Sequence, residues 1–283
     1  MDYWVIVVAK NAAQNISSTL TSLLNQTIPP TRIAVVNDGS SDGTGKILAK
    51  ARDENQTIRV LTLPDRGYDI RRVPANINLA IDSNRDLIAD YLMISGGDCI
   101  YPQHYADSVI RRMNQETRIV VASGRPSQLG IVSQEHSPSG SGRVIRTRFL
   151  NDVGNRFPVR AGWEAWLLFK AAQMGLETRL FSELVYSHVR PRGSSHRFTY
   201  WGAAMFTLGY CPLYALGRLT KSLVRLSSLS TSAGLLRGYL TAALGSADPF
   251  IEPFEPSFRK FVSLQQRRRI SRVVTSMLSH GIG

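Results

Sequence analysis

The sequence predicts an α/β fold with a mixed, mostly parallel sheet, followed by a helical, basic extension. Three observations carry this. Two fully apolar runs, YWVIVV at 3–8 and IAVV at 33–36, are separated by a helix-length amphipathic stretch. The second run ends in an acidic, glycine-rich turn, NDGSSDG at 37–43. The last third of the chain alternates apolar helical stretches with arginines.

Each element follows from its residues. Apolar runs without alternation suit strands covered by helices on both faces, which is the environment of parallel strands. Between the runs, Asn15 is placed to cap a helix from Ile16 to about Asn25. Ile16, Leu20, Leu23 and Leu24 form its apolar stripe, and Pro29 and Pro30 end it. The cluster at 37–43 favours turns and side chain to backbone bonding. A strand, helix and strand in this order can hold a nucleotide across the carboxyl ends of two parallel strands, where backbone N–H groups are free. The opening therefore predicts a nucleotide-handling enzyme. Further on, DYLMISGGDC at 90–99 is a short strand running into a glycine pair and an aspartate. The stretch 161–175 predicts a helix carrying Trp166, Leu167, Phe169 and Ala171, and SQEHSPSGSGR at 133–143 predicts a loop.

Composition bounds the class. With 283 residues, 43% of them apolar, the chain can bury a full core. Two cysteines exclude a disulfide framework and point to a reducing compartment. The first residues lack the basic start and cleavage site of a signal peptide, so a cytoplasmic location is expected. Net charge is +13, and from Arg190 onward thirteen Lys and Arg face only Asp248, Glu252 and Glu255. Nucleic acid, an anionic membrane surface and a lipid phosphate are the partners such a segment suits. The twenty residues 198–217 carry no charge, a length that allows a membrane span. Gly209 to Pro212 interrupts them, and the next apolar stretch, 223–244, contains Arg225 and Arg237. Helices in the interface plane, a true span and ordinary core helices are the three readings. The composition favours the first, as a peripheral attachment to the cytoplasmic face of a membrane, over nucleic acid.

The opening resembles that of the family-2 inverting glycosyltransferases of the GT-A fold. Their second strand runs into V-V-D-D-G-S-x-D-G-T, and here VVNDGSSDGT stands at 35–44. Val8, Lys10 and Ala12 occupy the places of the family's proline, tyrosine and glutamate. The resemblance implies that Asp38 accepts a hydrogen bond from the base and that Ala9, Asn11 and Asn37 line its pocket. Arg71, Arg72 and Asn76 fall in the segment that faces ribose and diphosphate, with Asn78 at the usual glycine. SGGDC matches the D-x-D motif with Gly96 in place of the first acid, leaving Asp98, with His188, to hold a divalent cation, Mn2+ or Mg2+. Gly97 would let the backbone approach the sugar. Arg190 and Arg192 would neutralise the leaving diphosphate, and Gly140, Gly142, Arg143 and Arg146 would close over the donor. In the G-E-D region, Trp163 stands at the first acid and Glu164 at the second. Glu164 thereby inherits the general-base position and Trp163 a stacking place for an acceptor ring. A helix N-terminus lowers the basicity of Glu164, whereas burial against Trp163 and Trp166 would raise it.

Taken from the residues alone, Asp98 is also a strand-end aspartate, His188 a hydrogen-bonded histidine, Glu164 a helix-stabilising acid and Trp163 a core tryptophan. The resemblance implies a catalytic domain at 1–196, and charge and apolar patterning point to a membrane-interfacial extension at 197–283. The implied activity is inverting transfer of a sugar from a nucleoside diphosphate sugar to a lipid-linked or saccharide acceptor at a membrane surface. Nucleotidyl transfer and metal-dependent binding without turnover are the alternatives. A nucleic-acid binder would explain the charge but leave VVNDGSSDGT without a role.

Overall fold

The structure, a computed structural model, describes residues 1–127, 137–189, 195–226, 229–245 and 247–280. The chain divides into two compact units, one of 1–158 with 170–192, the other of 159–169 with 193–283. The division expected at residue 196 is contiguous in sequence, whereas here 159–169 groups with the C-terminal residues.

The first unit holds the sheet. Its strands are β1 (Tyr3–Ala9), β2 (Ile33–Asn37), β3 (Ile58–Thr62), β4 (Tyr91–Gly96), β5 (Cys99–Ile100), β6 (Ile119–Pro126), β7 (Arg143–Arg146) and β8 (Glu177–His188). Among the described residues they lie in the order β3-β2-β1-β4-β7-β6-β8-β5. The run β3, β2, β1, β4 is parallel, β7 inserts antiparallel between β4 and β6, β6 pairs parallel with β8, and β5 pairs antiparallel with the end of β8. Sequence had marked β1 and β2 by their unbroken apolarity, and all of β2 and all of β1 except Val8 are buried. Helices α1 (Ile16–Leu24), α2 (Thr44–Glu54), α3 (Val73–Asp82), α4 (Tyr105–Gln115) and α5 (Thr147–Asp152) complete the unit.

Helix α1 buries Ile16, Leu20 and Leu23 as its stripe predicts, and Thr19 with them. Its cap differs from the expectation. The Asn15 side chain makes no capping bond. The N–H groups of Ala12 and Ala13, just ahead of the helix, instead donate to Thr44 Oγ1 at 2.8 Å and Asp42 Oδ2 at 3.0 Å. The acidic turn thus ties itself to the end of β1.

The second unit is helical, with the start of α6 (Trp163–Gln173), then α7 (Ser195–Thr207), α8 (Pro212–Leu226), α9 (Leu229–Ala243) and α10 (Pro256–His280). The uncharged run at 198–217 is split between α7 and α8 by a turn through Gly209, which has φ +78°. Among the described residues no helix is long and apolar enough to cross a membrane. Helices α7 and α9 pack at backbone contact: a Cβ on Gly202 would fall 2.0 Å from Leu235 O, and one on Gly238 would fall 1.8 Å from Thr199 O. Only glycine permits that approach.

Candidate active site

The carboxyl end of β1 organises the site. Ala9 pairs with Asn37 of β2 on one side, and Val8 pairs with Gly96 of β4 on the other. Beyond the strands, the Asp38 N–H donates to Ala9 O at 2.9 Å, and the Gly97 N–H donates to Val8 O at 3.2 Å. Two consecutive carbonyls of one strand end therefore hold the turn carrying Asp38 and the turn carrying Asp98.

On the β2 side the polar groups are buried and interlocked. Asn37 is 1% and Asp38 5% exposed. Asn37 Oδ1 accepts from the Ser40 N–H at 3.1 Å. Asn11, at a left-handed φ of +49°, accepts from the Ser41 N–H at 2.9 Å, and its own N–H donates to Ser40 Oγ at 2.9 Å. Arg72 donates to the Asp38 carboxylate through Nε at 3.2 Å and Nη2 at 3.0 Å. The same guanidinium donates to the Gly67 carbonyl. Arg71 is bound to Asp69, 2.7 Å from Nη2 to Oδ2. Lys10, where the family carries tyrosine, bonds to Gly39 O and to Asp65 Oδ1. The Lys10 bond, with the Gly67 N–H, holds the Asp65 carboxyl below its usual range. Gly39 is required here, since a Cβ would lie 2.5 Å from the Asp65 backbone and its φ is +64°. The 64–72 segment is in this way fastened across the acidic turn.

Asn76 lies on α3, 3% exposed, and among the described residues its Nδ2 has no hydrogen-bond partner. Asn78 is different. Its side chain donates to Phe157 O and accepts from the Phe157 N–H, both at 2.8 Å, so it fastens α3 to the chain after α5.

On the β4 side, Asp98 and His188 come together although ninety residues separate them. The antiparallel β5–β8 pair sets Cys99 opposite His188. His188 Nε2 then lies 3.8 Å from Asp98 Oδ1. Two ligands each about 2.1 Å from one cation lie at most about 4.2 Å apart, so this carboxylate and imidazole fit a shared Mn2+ or Mg2+. The Cys99 thiol belongs to the same cluster, in which all three ligand atoms lie within 4.8 Å of one another. Burial, and next the Asp98 charge, push that thiol up to about 11. A Cβ on Gly96 would stand 2.8 Å from Asp98 Oδ1, so the missing first acid leaves its place to the second. A Cβ on Gly97 would meet Ala9, Ala12 and Ile16 at 3.0–3.3 Å, so packing against the end of β1 and the start of α1 also favours glycine there.

Beneath this corner, Tyr101, Tyr105 and Tyr186 pack with ring centroids 4.9–5.6 Å apart. Tyr186 donates to Ser141 O and Tyr105 to Gly142 O, both at 2.7 Å, which fixes the 139–142 segment. Sequence reasoning missed this cluster and Cys99; the four-residue spacing of Tyr101 and Tyr105 was the available signal. Two expectations for the donor lid are corrected. Arg143 is 2% exposed and donates to Ser139 O and Pro138 O. Arg146 pairs with Tyr91 at the amino end of β4 and donates to Tyr91 Oη and Ile119 O, so it lies at the end of β4 away from Gly96 and Asp98. Arg190 and Arg192 lie outside the described residues.

Glu164 and Trp163 open α6 in the second unit. Trp163 packs against a cluster of Ala161, Ala203, Ala242 and Phe250. Glu164 is exposed, so the burial expected to raise its basicity is not found.

The sequence matches the profile of Glycosyl transferase family 2 over residues 4–174. The chain belongs to this family. Its fold is that of the GT-A enzymes. Mannosyltransferase PcManGT from Pyrobaculum calidifontis, solved in complex with GDP-Man and Mn2+, superposes with a TM-score of 0.54–0.58 alongside S. aureus TarS 1-349 in complex with UDP. PcManGT gives the 0.58, at 18% identity over 86% of this chain and 76% of its own. TarS gives the 0.54, at 17% identity over 87% and 73%. TarS 1-349 with UDP-GlcNAc is similar at 0.53 and 17%, over 88% and 75%. No curated protein matches the chain by sequence. The family-2 profile reaches from β1 into α6, and so includes Asp38, Asp98 and Glu164 but ends before His188.

Proposed function

We propose that this family-2 glycosyltransferase moves one sugar, with inversion, from a nucleoside diphosphate sugar to a lipid-linked or saccharide acceptor. The observation that carries the reading is that the Asp38 N–H and the Gly97 N–H just ahead of Asp98 are held on the adjacent Ala9 and Val8 carbonyls, which brings both acids to one strand end. PcManGT, a structural relative, was solved with GDP-Man and Mn2+, and TarS with UDP-GlcNAc. Residues 1–196 are the catalytic part in this reading and 197–283 a membrane-interfacial extension.

Each residue then has a task. Asp38 accepts an N–H of the base, with Ala9, Asn11 and Asn37 around it. Arg72 orients that carboxylate, while Arg71, Arg190 and the unpartnered amide of Asn76 serve the ribose and diphosphate. Asp98 and His188 hold a divalent cation, Mn2+ or Mg2+, and the Gly97 turn brings the backbone toward the sugar. When bound, the cation supplies charge stabilisation for the departing diphosphate. Glu164 takes the proton of an acceptor hydroxyl as the anomeric carbon is attacked from the face opposite the diphosphate, and Trp163 supports the acceptor. A phosphate acceptor is already an anion and needs no such base. The test is a panel of UDP- and GDP-sugars with Mn2+ and with Mg2+, following nucleoside diphosphate release and the anomeric configuration of the product. Release of pyrophosphate instead would make the protein a nucleotidyltransferase, and metal-dependent donor binding without release would make it a binder.

A further inference from the structure

The membrane contact in that reading has so far no residues attached to it, and the second unit supplies them. Leu236 and Leu240 of α9 are 45% and 47% exposed, and Leu244 just beyond is 85% exposed. The Leu244 N–H still bonds to Leu240 O at 2.9 Å, so the helical course continues to it. Spacings of four place these three leucines on one face. That face is fixed outward, because Leu235, Gly238 and Ala242 point the other way and Gly238 locks α9 against α7. Helix α8, packed on α9, exposes Leu213 and Leu216 to 61% and 56% while burying Ala215. Trp201 of α7 is 39% exposed.

The charge of the unit that carries these leucines is one-sided. The unit of 159–169 and 193–283 contains twelve Lys and Arg against four Asp and Glu. Arg237 stands exposed beside Leu236, and Arg267, Arg268 and Arg269 are exposed in succession on α10. A second copy of the chain would meet this face with like charge. An anionic bilayer meets both features: leucines enter the acyl boundary, and arginines stay at the headgroups with their stems along apolar surface. Trp201 has the amphipathic ring that favours the same interface.

We infer that the α9 leucines, with Leu213 and Leu216 of α8, form a monolayer-inserting face that docks the protein on an anionic lipid surface. The inference rests on the proposed membrane-surface acceptor and gives that partner an address. Full-length protein is mixed with vesicles of phosphatidylcholine alone or with phosphatidylglycerol added, and bound protein is measured by flotation. The wild type floats with the anionic vesicles, and Leu236→Ser with Leu240→Ser lowers the partition constant by at least about tenfold, as loss of buried apolar area requires. Lipids brominated along the acyl chain quench Trp201, and Trp201→Phe removes the quenching. Absence of quenching in the wild type overturns the inference even if the double variant fails to fold. Unchanged flotation of a folded double variant overturns it as well, as does a wild-type dimer that the double variant converts to monomer without loss of flotation. Nucleoside diphosphate release is followed separately on a soluble acceptor. A wild type that releases nucleoside diphosphate but does not float sinks only the docking face, and a wild type that floats but releases none on any donor sinks only the sugar-transfer reading.

Discussion

Arg72 grips Asp38 with two nitrogens of one guanidinium, Nε at 3.2 Å and Nη2 at 3.0 Å from the same oxygen, Oδ2. The side chains are 18% and 7% exposed, so the pair is largely withdrawn from water. Removing one member of a buried pair strands the other, at a cost of about 3–5 kcal/mol when burial is complete. Arg72→Ala is expected near the lower end, about 3 kcal/mol in urea unfolding, because Arg72 keeps some solvent. A double-mutant cycle with Asp38→Asn is expected to return a coupling above about 1 kcal/mol. Additive effects would mean that the contact is incidental.

Cation binding tests the β4 corner. Asp98→Ala is expected to abolish Mn2+ binding measured by paramagnetic resonance in the presence of nucleoside diphosphate. His188→Ala is expected to weaken it by about tenfold, equivalent to about 1.4 kcal/mol. Cys99→Ser is expected to leave Mn2+ affinity within about threefold, since a hard cation draws on oxygen and nitrogen ligands before a thiol. Equal losses for all three variants would give the thiol a place among the ligands.

How much of this was legible in the sequence depended on whether the signal was local. Strands β1 and β2 were visible because burial on both faces demands unbroken apolarity, and VVNDGSSDGT because turn chemistry needs particular residues in a row. Strand β7 was invisible: RVIR is four residues long, and its antiparallel insertion is decided by β4 and β6. Asn15 holds the cap position of α1 but its side chain makes no capping bond, while Thr44 and Asp42, about thirty residues away, bind the Ala12 and Ala13 N–H groups ahead of it, a long-range pairing that local sequence does not show. Arg146 lay in a stretch of suitable sign but pairs with the amino end of β4, and charge alone cannot tell the two ends of a strand apart. Asp98 and His188 were brought together through the family resemblance and are neighbours in the fold, while Cys99, fully buried, was indistinguishable from a small core residue.

The Lys10–Asp65 pair gives a pH signature. Lys10 and the Gly67 N–H lower the Asp65 carboxyl from the usual 3.8, so it is ionised more readily folded than unfolded. Any stability from the pair is therefore complete above the unfolded value and fades as pH falls through the lowered folded one. Carboxyl carbon resonances should show Asp65 titrating below 3.8 in the wild type and returning toward it in Lys10→Met. A midpoint at or above the usual value in the wild type would show that the Lys10 contact does not hold in solution.

Glu164 carries the most consequential prediction, because one substitution separates two acceptor chemistries. Its carboxylate sits in the first turn of α6, where the helix dipole favours the anion. Its exposure leaves the carboxylate open to solvent and to an incoming acceptor. Glu164→Gln preserves shape and removes the base. With a hydroxyl acceptor, kcat is expected to fall by roughly 10²–10⁴, the range general-base catalysis supplies, with the donor Kd unchanged. With a lipid phosphate acceptor, attack begins from an oxygen that is already negative, and the same variant should keep its rate within about threefold because no proton has to leave. A parallel fall in donor affinity would assign Glu164 to binding, and an unchanged rate on every acceptor, hydroxyl acceptors included, would move the base elsewhere in the chain.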